Sequence, residues 1–126
     1  IIKLYKLMKI KILIPVYNDW QSLSKLLENI NLEISKLGHE FSAVIINDGS
    51  TDPTPNNFIN INNFKSIKII DMKINKGHAR CNAAGLKYIF EKEEFDYVIP
   101  MDGDGEDRPE EIPIFIDNLK YNSNKL

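Results

Sequence analysis

The sequence has little cysteine, no basic excess and no long apolar run. Cys81 is the single cysteine among 126 residues, which excludes an internal disulfide and a zinc site built from several cysteines. No stretch approaches the roughly 18 consecutive apolar residues that a membrane helix needs. The net charge of −2 argues against a nucleic-acid partner. A lone thiol suits a reducing compartment, so we expect a cytoplasmic protein.

What the sequence does contain is ordinary for a globular domain, with 43% apolar and 27% charged residues. Short apolar runs rich in β-branched residues predict four strands. Turn-forming or polar residues follow each of these runs. The predicted strands are 11–17, 41–47, 66–72 and 96–101.

Apolar residues at steps of three and four predict helices between and after these strands. The first begins after Asn18 and Asp19, which can cap it, and extends to Leu37 before Gly38. The second covers 78–90 and the third begins near Pro109, whereas 53–64 predicts a loop or one irregular helix. For the second helix we expect these residues to face the core: Ala79, Ala83, Leu86 and either Ile89 or Phe90.

The order β-α-β-(α)-β-α-β-α predicts an α/β fold, a Rossmann-like and mostly parallel sheet with helices on both faces. Such sheets bind ligands beyond the carboxyl ends of their strands, near the point where the strand order reverses. Polar clusters follow all four predicted strands. They lie at 17–18, 48–50, 75–80 and 102–107.

The last cluster is strongly acidic, since 91–111 holds ten of the eighteen acids. Asp102, Asp104, Glu106 and Asp107 fall within six residues. Carboxylates this close repel one another unless protons or a cation neutralise them. Mg²⁺ is commonly held by one or two carboxylates together with substrate phosphates. The alternative is an acidic surface loop without a ligand.

Two other clusters favour a nucleotide. Asp48, at a strand end, could accept hydrogen bonds from a base edge or a ribose, or could form only a local turn with the backbone of Ser50. Gly77 and Arg80 stand at a helix start, where free amides and a guanidinium suit phosphate. The alternative for Arg80 is a salt bridge with the acids of 91–94.

In this order, IPVYND, INDGSTD, NKGHARCNAAGL and MDGDGEDRPEEI resemble the N-terminal half of family 2 glycosyltransferases of the GT-A fold. The resemblance covers about residues 9–119. The last block resembles the polyprenyl-phosphate (dolichyl-phosphate-type) sugar transferases. The resemblance implies that a UDP- or GDP-sugar is the donor and that the sugar passes, with inversion, to an acceptor such as a polyprenyl phosphate.

The resemblance also assigns roles to particular residues. Asp102 and Asp104 match the catalytic carboxylate pair, and the general base lies outside this chain. Asp102, Asp104 and Glu106 would bind Mg²⁺ or Mn²⁺, although the polyprenyl-phosphate group often has Gln at the Glu106 position. Tyr17 and its neighbours would line the base, Asp48 would bond its edge, and Gly77 and Arg80 would lie near the base or diphosphate. The expected nucleotide contacts are Pro15, Val16, Tyr17, Asp48, Gly77, Arg80 and Asp102.

Family 2 catalytic domains are longer than this chain. We therefore expect 1–126 to be one partial GT-A domain, with 1–7 upstream of the natural start. A C-terminal half or a second copy would complete it, at the cytoplasmic face of a membrane in the full-length protein. Two other functions stay open. One is a nucleotide-sugar-binding module that is inactive alone, and the other is a receiver-like regulatory domain with an acidic pocket.

Overall fold

The structure, a computed structural model, describes residues 6–103 and 107–123. Within these residues no helix is long and apolar enough to cross a membrane. The predicted strands and helices are all present. Their order is β1 (Lys9–Val16), α1 (Trp20–Ile34), β2 (Glu40–Asn47), β3 (Ser66–Asp71), α2 (His78–Lys92), β4 (Tyr97–Pro100) and α3 (Glu111–Ser123).

The strands form one parallel sheet in the order β3-β2-β1-β4. The chain moves outward from β1 to β3 and then returns to the other side of β1. The strand order therefore reverses between β1 and β4. Residues of α1 and α3 pack on one face of the sheet, and residues of α2 pack on the other. This arrangement confirms the α/β, Rossmann-like fold with helices on both faces.

Pro15 lies within β1, opposite Ile46 of β2, one residue before the strand ends at Val16. The carbonyl oxygen of Leu13 accepts a hydrogen bond from the Met101 N–H, on the β4 side. The backbone nitrogen of Pro15, two residues further along the strand, points to the same side as the Leu13 carbonyl. Pairing between β1 and β4 has already ended at Leu13 and Pro100. The missing amide of Pro15 therefore falls where the two strands part.

The larger core lies under α1. Asp19 caps this helix, since its Oδ1 accepts a hydrogen bond from the Ser22 N–H at 3.3 Å. The helix ends at Ile34, one turn earlier than Leu37, and Gly38 turns the chain at φ +69°. The fully buried members of this core include Ile12, Ile14, Leu23, Leu27, Ile30, Phe41, Ile45 and Ile116.

The predicted inward face of α2 is wrong except at Ile89, which is fully buried. Leu86 is 44% exposed and Phe90 80% exposed, and Ala79 and Ala83 are also exposed. The buried residues are Cys81, Gly85 and Ile89, at steps of four. The helix axis passes so close to β1 and β2 that only small side chains fit under its middle. The spacing of apolar residues carries no information on the space between the helix and the sheet.

Residues 48–65 connect β2 to β3 without a helix, so the loop alternative for 53–64 is confirmed. Asn31 of α1, only 5% exposed, holds this connection in place. Its Oδ1 accepts from the Asn63 N–H at 2.7 Å, and its Nδ2 donates to Asn62 Oδ1 at 3.2 Å. The Asn63 side chain donates to the Asn31 carbonyl at 2.9 Å.

We expect Asn31→Ala to lower the free energy of unfolding by about 1–2 kcal/mol, because it removes the two hydrogen bonds that the buried Asn31 side chain makes with the loop. Urea unfolding measures this effect. Asn29→Ala is the matched control, since Asn29 is exposed on the same helix. The control gains only the better helix propensity of alanine, a few tenths of a kcal/mol. Equal stability of the two variants would contradict the anchoring role of Asn31.

Candidate functional site

The four polar clusters meet at the carboxyl edge of the sheet. Asn18 joins the first cluster to the second. Its backbone N–H donates to Ser50 Oγ at 2.9 Å, and its Nδ2 donates to Thr51 Oγ1 at 3.0 Å. Its Oδ1 accepts from the Asp52 N–H at 2.9 Å. Asn18 has a φ of +58°, a conformation that asparagine tolerates better than most residues. The sequence indicated only a helix cap here, so this role was missed.

Asp48 joins the second cluster to the third. Its side chain is buried, with 1% of the residue exposed. Oδ1 accepts from the Lys76 N–H at 2.7 Å, and Oδ2 accepts from the Gly77 N–H at 3.0 Å. The predicted alternative, a local turn bond to Ser50, is wrong. The Ser50 N–H instead donates to Asn47 Oδ1 at 3.2 Å.

The environment of Asp48 favours its ionised form. Burial by itself would raise the pKa of this carboxyl, but hydrogen bonds from Lys76, Cys81 and Gly77 outweigh burial and hold the pKa below its ordinary value. The contact with Asp48 raises the pKa of the Cys81 thiol. Burial is the larger cause, and the two together raise this pKa to about 12. Cys81 is therefore a protonated packing residue at neutral pH and not a nucleophile.

Asn47 and Asp71 form a second pair at this edge that the sequence did not reveal. The two residues are opposite each other in β2 and β3, and Asn47 Nδ2 donates to Asp71 Oδ1 at 2.8 Å. Asn47 is buried and Asp71 is exposed. The pair fixes the ends of β2 and β3 relative to each other, at the carboxyl edge of the sheet where the candidate site lies.

The third and fourth clusters face each other across the point where β1 and β4 part. His78 Nδ1 lies 3.9 Å from Asp102 Oδ1, and both side chains are about half exposed, at 48% and 51%. The Asp102 N–H donates to Asp107 Oδ2. The carboxylate of Asp102 is accessible at the rim.

The remaining predicted nucleotide contacts lie on the same edge. Pro15 and Val16 are buried at the end of β1, whereas Tyr17 is 43% exposed. Gly77 is the N-cap of α2, at φ +88°, and no side chain caps this helix. Arg80 is exposed on the first turn. Among the described residues it forms no ion pair with the acids of 91–94.

Those acids bind other partners at the opposite end of the sheet. Glu93 pairs with Lys68 at 3.0 Å, and Glu94 pairs with Lys9 at 2.6 Å. The alternative interpretation of Arg80 as a salt-bridge partner for this stretch is therefore wrong. The guanidinium stays available to a ligand at the carboxyl edge.

Of the three predicted metal ligands, only Asp102 lies within the described residues. Asp104 and Glu106 lie outside them. The described part of the chain contains no group of three His, Cys, Asp or Glu side chains that could hold a metal ion. The accessible Asp102 carboxylate is a hard oxygen donor of the kind that Mg²⁺ and Mn²⁺ prefer, so the side chain that is described fits such an ion.

A hollow of about 450 Å³ lies elsewhere, beside the edge strand β3. Its lining is mixed. The apolar side chains include Phe58, Ile61, Phe64, Ile67 and Ile69, and polar ones come from Asn56, Asn57, Lys65 and Ser66. Lys65 is the only ionisable side chain in its lining, and the lining includes none of the predicted site residues that the structure describes. The side chains that line this hollow give no chemical reason to choose it over the carboxyl edge as the ligand site.

Comparison with solved structures supports this fold. The chain is similar to the crystal structure of S. aureus TarS 1-349, with a TM-score of 0.68 and 22% identity over 90% of this chain and 33% of that chain. A second crystal structure of S. aureus TarS gives a TM-score of 0.60 and 24% identity, over 90% of this chain and 20% of that one. The chain thus spans a third or less of each of these two chains.

Comparison with protein families identifies the sequence more specifically. The model of Glycosyl transferase family 2 matches residues 11–125, which include all four polar clusters. This match favours the glycosyltransferase interpretation over the receiver-like alternative. Because nearly the whole chain matches, the protein belongs to glycosyl transferase family 2.

Proposed function

We propose that this chain forms the donor-binding part of a glycosyltransferase and binds a nucleoside diphosphate sugar at the carboxyl edge of its sheet. One observation carries the proposal. The hydrogen bonds of Asn18 and Asp48, and the approach of His78 to Asp102, unite four separate polar clusters where the strand order reverses. The accessible groups there are an aromatic ring, a guanidinium and a carboxylate, which match the base, the phosphates and the ribose or cation of such a donor.

Each part of the donor has a complementary group. Tyr17, 43% exposed, offers a ring on which a base can stack, above the buried Pro15 and Val16. The N-terminus of α2 offers free amides after Gly77, and these bind phosphate well. Arg80 adds a positive charge on the same turn. We assign Asp102 to the ribose or to a cation on the diphosphate.

A divalent cation fits the loop after β4. Asp102, with Asp104 and Glu106 from the sequence, would hold Mg²⁺ or Mn²⁺ through oxygen ligands. When bound, the ion neutralises charge that develops on the departing diphosphate. The residues of this chain contribute by orienting the diphosphate between α2 and the loop.

The finer proposal for the acceptor is a polyprenyl phosphate, and it rests on the resemblance of residues 101–112. A lipid phosphate is already an anionic nucleophile. Its attack on the anomeric carbon would therefore depend less on a protein base than attack by a hydroxyl does. The alternative is a binding module that holds the donor but does not transfer the sugar.

Calorimetry with UDP and GDP tests the donor site. In Mn²⁺ we expect measurable binding of at least one nucleotide. In EDTA we expect affinity to fall by about tenfold or more, which corresponds to losing one charge-assisted contact. Equal affinity in Mn²⁺ and EDTA would contradict the metal assignment, and no binding under either condition would contradict the donor site.

Asp102→Asn should weaken binding in Mn²⁺ and should reduce the difference between Mn²⁺ and EDTA. Asp117→Asn is the charge-matched control, because Asp117 is exposed on α3 and should bind nucleotide as the wild type does. A mass-spectrometric assay with UDP- and GDP-sugars and a polyprenyl phosphate then separates the transferase from the binding module.

A further inference from the structure

Tyr17, the proposed base contact, is fixed at its backbone on both sides by the turn after β2. Before it, the Val16 carbonyl accepts a hydrogen bond from the Asp48 N–H at 2.8 Å. After it, the Asn18 N–H donates to Ser50 Oγ at 2.9 Å. Because the two peptide groups that flank Tyr17 are both bonded to this turn, the direction of the Tyr17 side chain depends on the position of the turn.

The side chain of Asn18 fastens the next two residues of the same turn. Its Nδ2 donates to Thr51 Oγ1 at 3.0 Å, and its Oδ1 accepts from the Asp52 N–H at 2.9 Å. We call these two bonds, together with the backbone bond to Ser50, the Asn18 clasp. Asn18 has a φ of +58°, in a region where glycine and asparagine are better tolerated than most residues. Of these two, only asparagine also supplies a side-chain donor and acceptor.

Ser50 connects the Asn18 clasp to the rest of the sheet. Its N–H donates to Asn47 Oδ1 at 3.2 Å, and Asn47 Nδ2 donates to Asp71 Oδ1 at 2.8 Å. Asn47 ends β2 and Asp71 ends β3. A continuous series of hydrogen bonds therefore runs from the ends of β2 and β3 to the residue that follows Tyr17. Supporting bonds of this kind hold a binding side chain in one geometry.

We propose that Asn18 is a positioning residue for the nucleobase: through the Asn18 clasp it holds Tyr17 at the carboxyl edge in the orientation that stacks on a base. A ring that is held in place before the ligand arrives loses less freedom on binding, so the affinity rises. The ligand in this inference rests on the proposed function. The clasp does not, because it is a property of the folded chain.

Calorimetry on Asn18→Gly separates positioning of the base from a general loss of structure. Glycine accepts the backbone conformation and removes only the two side-chain bonds of the clasp. In Mn²⁺ we expect the affinities for UDP and GDP to fall by about tenfold, within the range that one stacked base contributes. Inorganic diphosphate has no base and should bind as it does to the wild type. An equal loss for all three ligands would overturn the proposal.

A double-mutant cycle tests whether Asn18 acts through the ring. When Tyr17→Ala is already present, Asn18→Gly should change the affinities for UDP and GDP by less than about twofold, because the ring that it positions is gone. A further tenfold loss in this background would show that Asn18 contributes to binding by itself, and the positioning role would be wrong.

Thr51→Val tests the clasp without altering residue 18. Valine has nearly the shape of threonine but cannot accept the bond from Asn18 Nδ2. With one of the two side-chain bonds lost, UDP affinity should fall by about threefold. Thr54→Val is the matched control, since Thr54 is exposed in the same connection and takes no part in the clasp. Equal UDP affinity of the two variants would contradict the clasp as the cause of the effect.

Amide NMR relaxation tests the clasp without any ligand. In the wild type, the Tyr17 amide should have an order parameter near 0.85, about the value of rigid backbone, and in both Asn18→Gly and Thr51→Val it should fall toward about 0.6. The amide of Ile12 in β1 should stay rigid. An unchanged value at Tyr17 in both variants would overturn the proposal. If the wild type binds neither UDP nor GDP, the proposed function fails, and the NMR measurement still decides whether Asn18 holds Tyr17.

Discussion

Gly85→Ala is expected to destabilise the protein by about 1–3 kcal/mol, the usual effect of overpacking a core. A Cβ on Gly85 would lie 2.3 Å from Leu13 Cδ1 and 3.1 Å from Ile46 Cγ1. Leu13 and Ile46 are both 0% exposed, so neither can turn toward solvent. The Leu13 methyl can shift only by displacing its own neighbours in a close-packed interior.

The sign of this effect is informative, because glycine is otherwise unfavourable inside a helix. At a position with space, glycine to alanine would stabilise the helix by about 1 kcal/mol. Ala83→Gly calibrates that term at an exposed position of the same helix, where only propensity should change. Urea unfolding of the two variants gives the comparison. A Gly85→Ala protein as stable as the wild type would show that α2 can move away from the sheet.

Gly85 also shows which part of the fold a sequence pattern can predict. The strands could be predicted because short apolar runs between turn residues have few other structures open to them. Apart from Ile89, the inward face of α2 could not be predicted, because two of its three buried residues, Cys81 and Gly85, are small and Leu86 is exposed. Burial there is decided by how near the helix lies to β1 and β2, which is a property of the packed fold.

The candidate site also has a part that the sequence predicts and a part that it does not. The positions of the predicted strand ends indicate where the polar clusters lie, since parallel strands bring their carboxyl ends to one edge. The partners of Asp48 could not be predicted, because Lys76 and Gly77 are 28 and 29 residues away and donate through backbone amides that every residue except proline has. The sequence therefore indicated an acid at the right edge, but not that its carboxylate was already engaged.

Gly49→Ala is expected to have the largest effect on both stability and binding. Gly49 adopts a φ of +70°, which disfavours an L side chain by about 1–2 kcal/mol. The added Cβ would also meet the backbone of residues 74–75, which cannot change rotamer. A further loss of about 1–3 kcal/mol from overpacking is therefore expected. Displacement of 74–77 should also weaken diphosphate binding in Mn²⁺ by about tenfold or more.

Gly38→Ala separates the two contributions. Gly38 has nearly the same backbone conformation, at φ +69°, but nothing lies within 4 Å of its ideal Cβ. The loss of stability that urea unfolding measures for Gly38→Ala should therefore report backbone strain alone. The diphosphate affinity of this variant should equal that of the wild type. The excess loss in Gly49→Ala then measures the contact with 74–77. If the two variants lose equal stability and both bind diphosphate normally, Gly49 serves only its own turn, and the α2 N-terminus is held by other contacts.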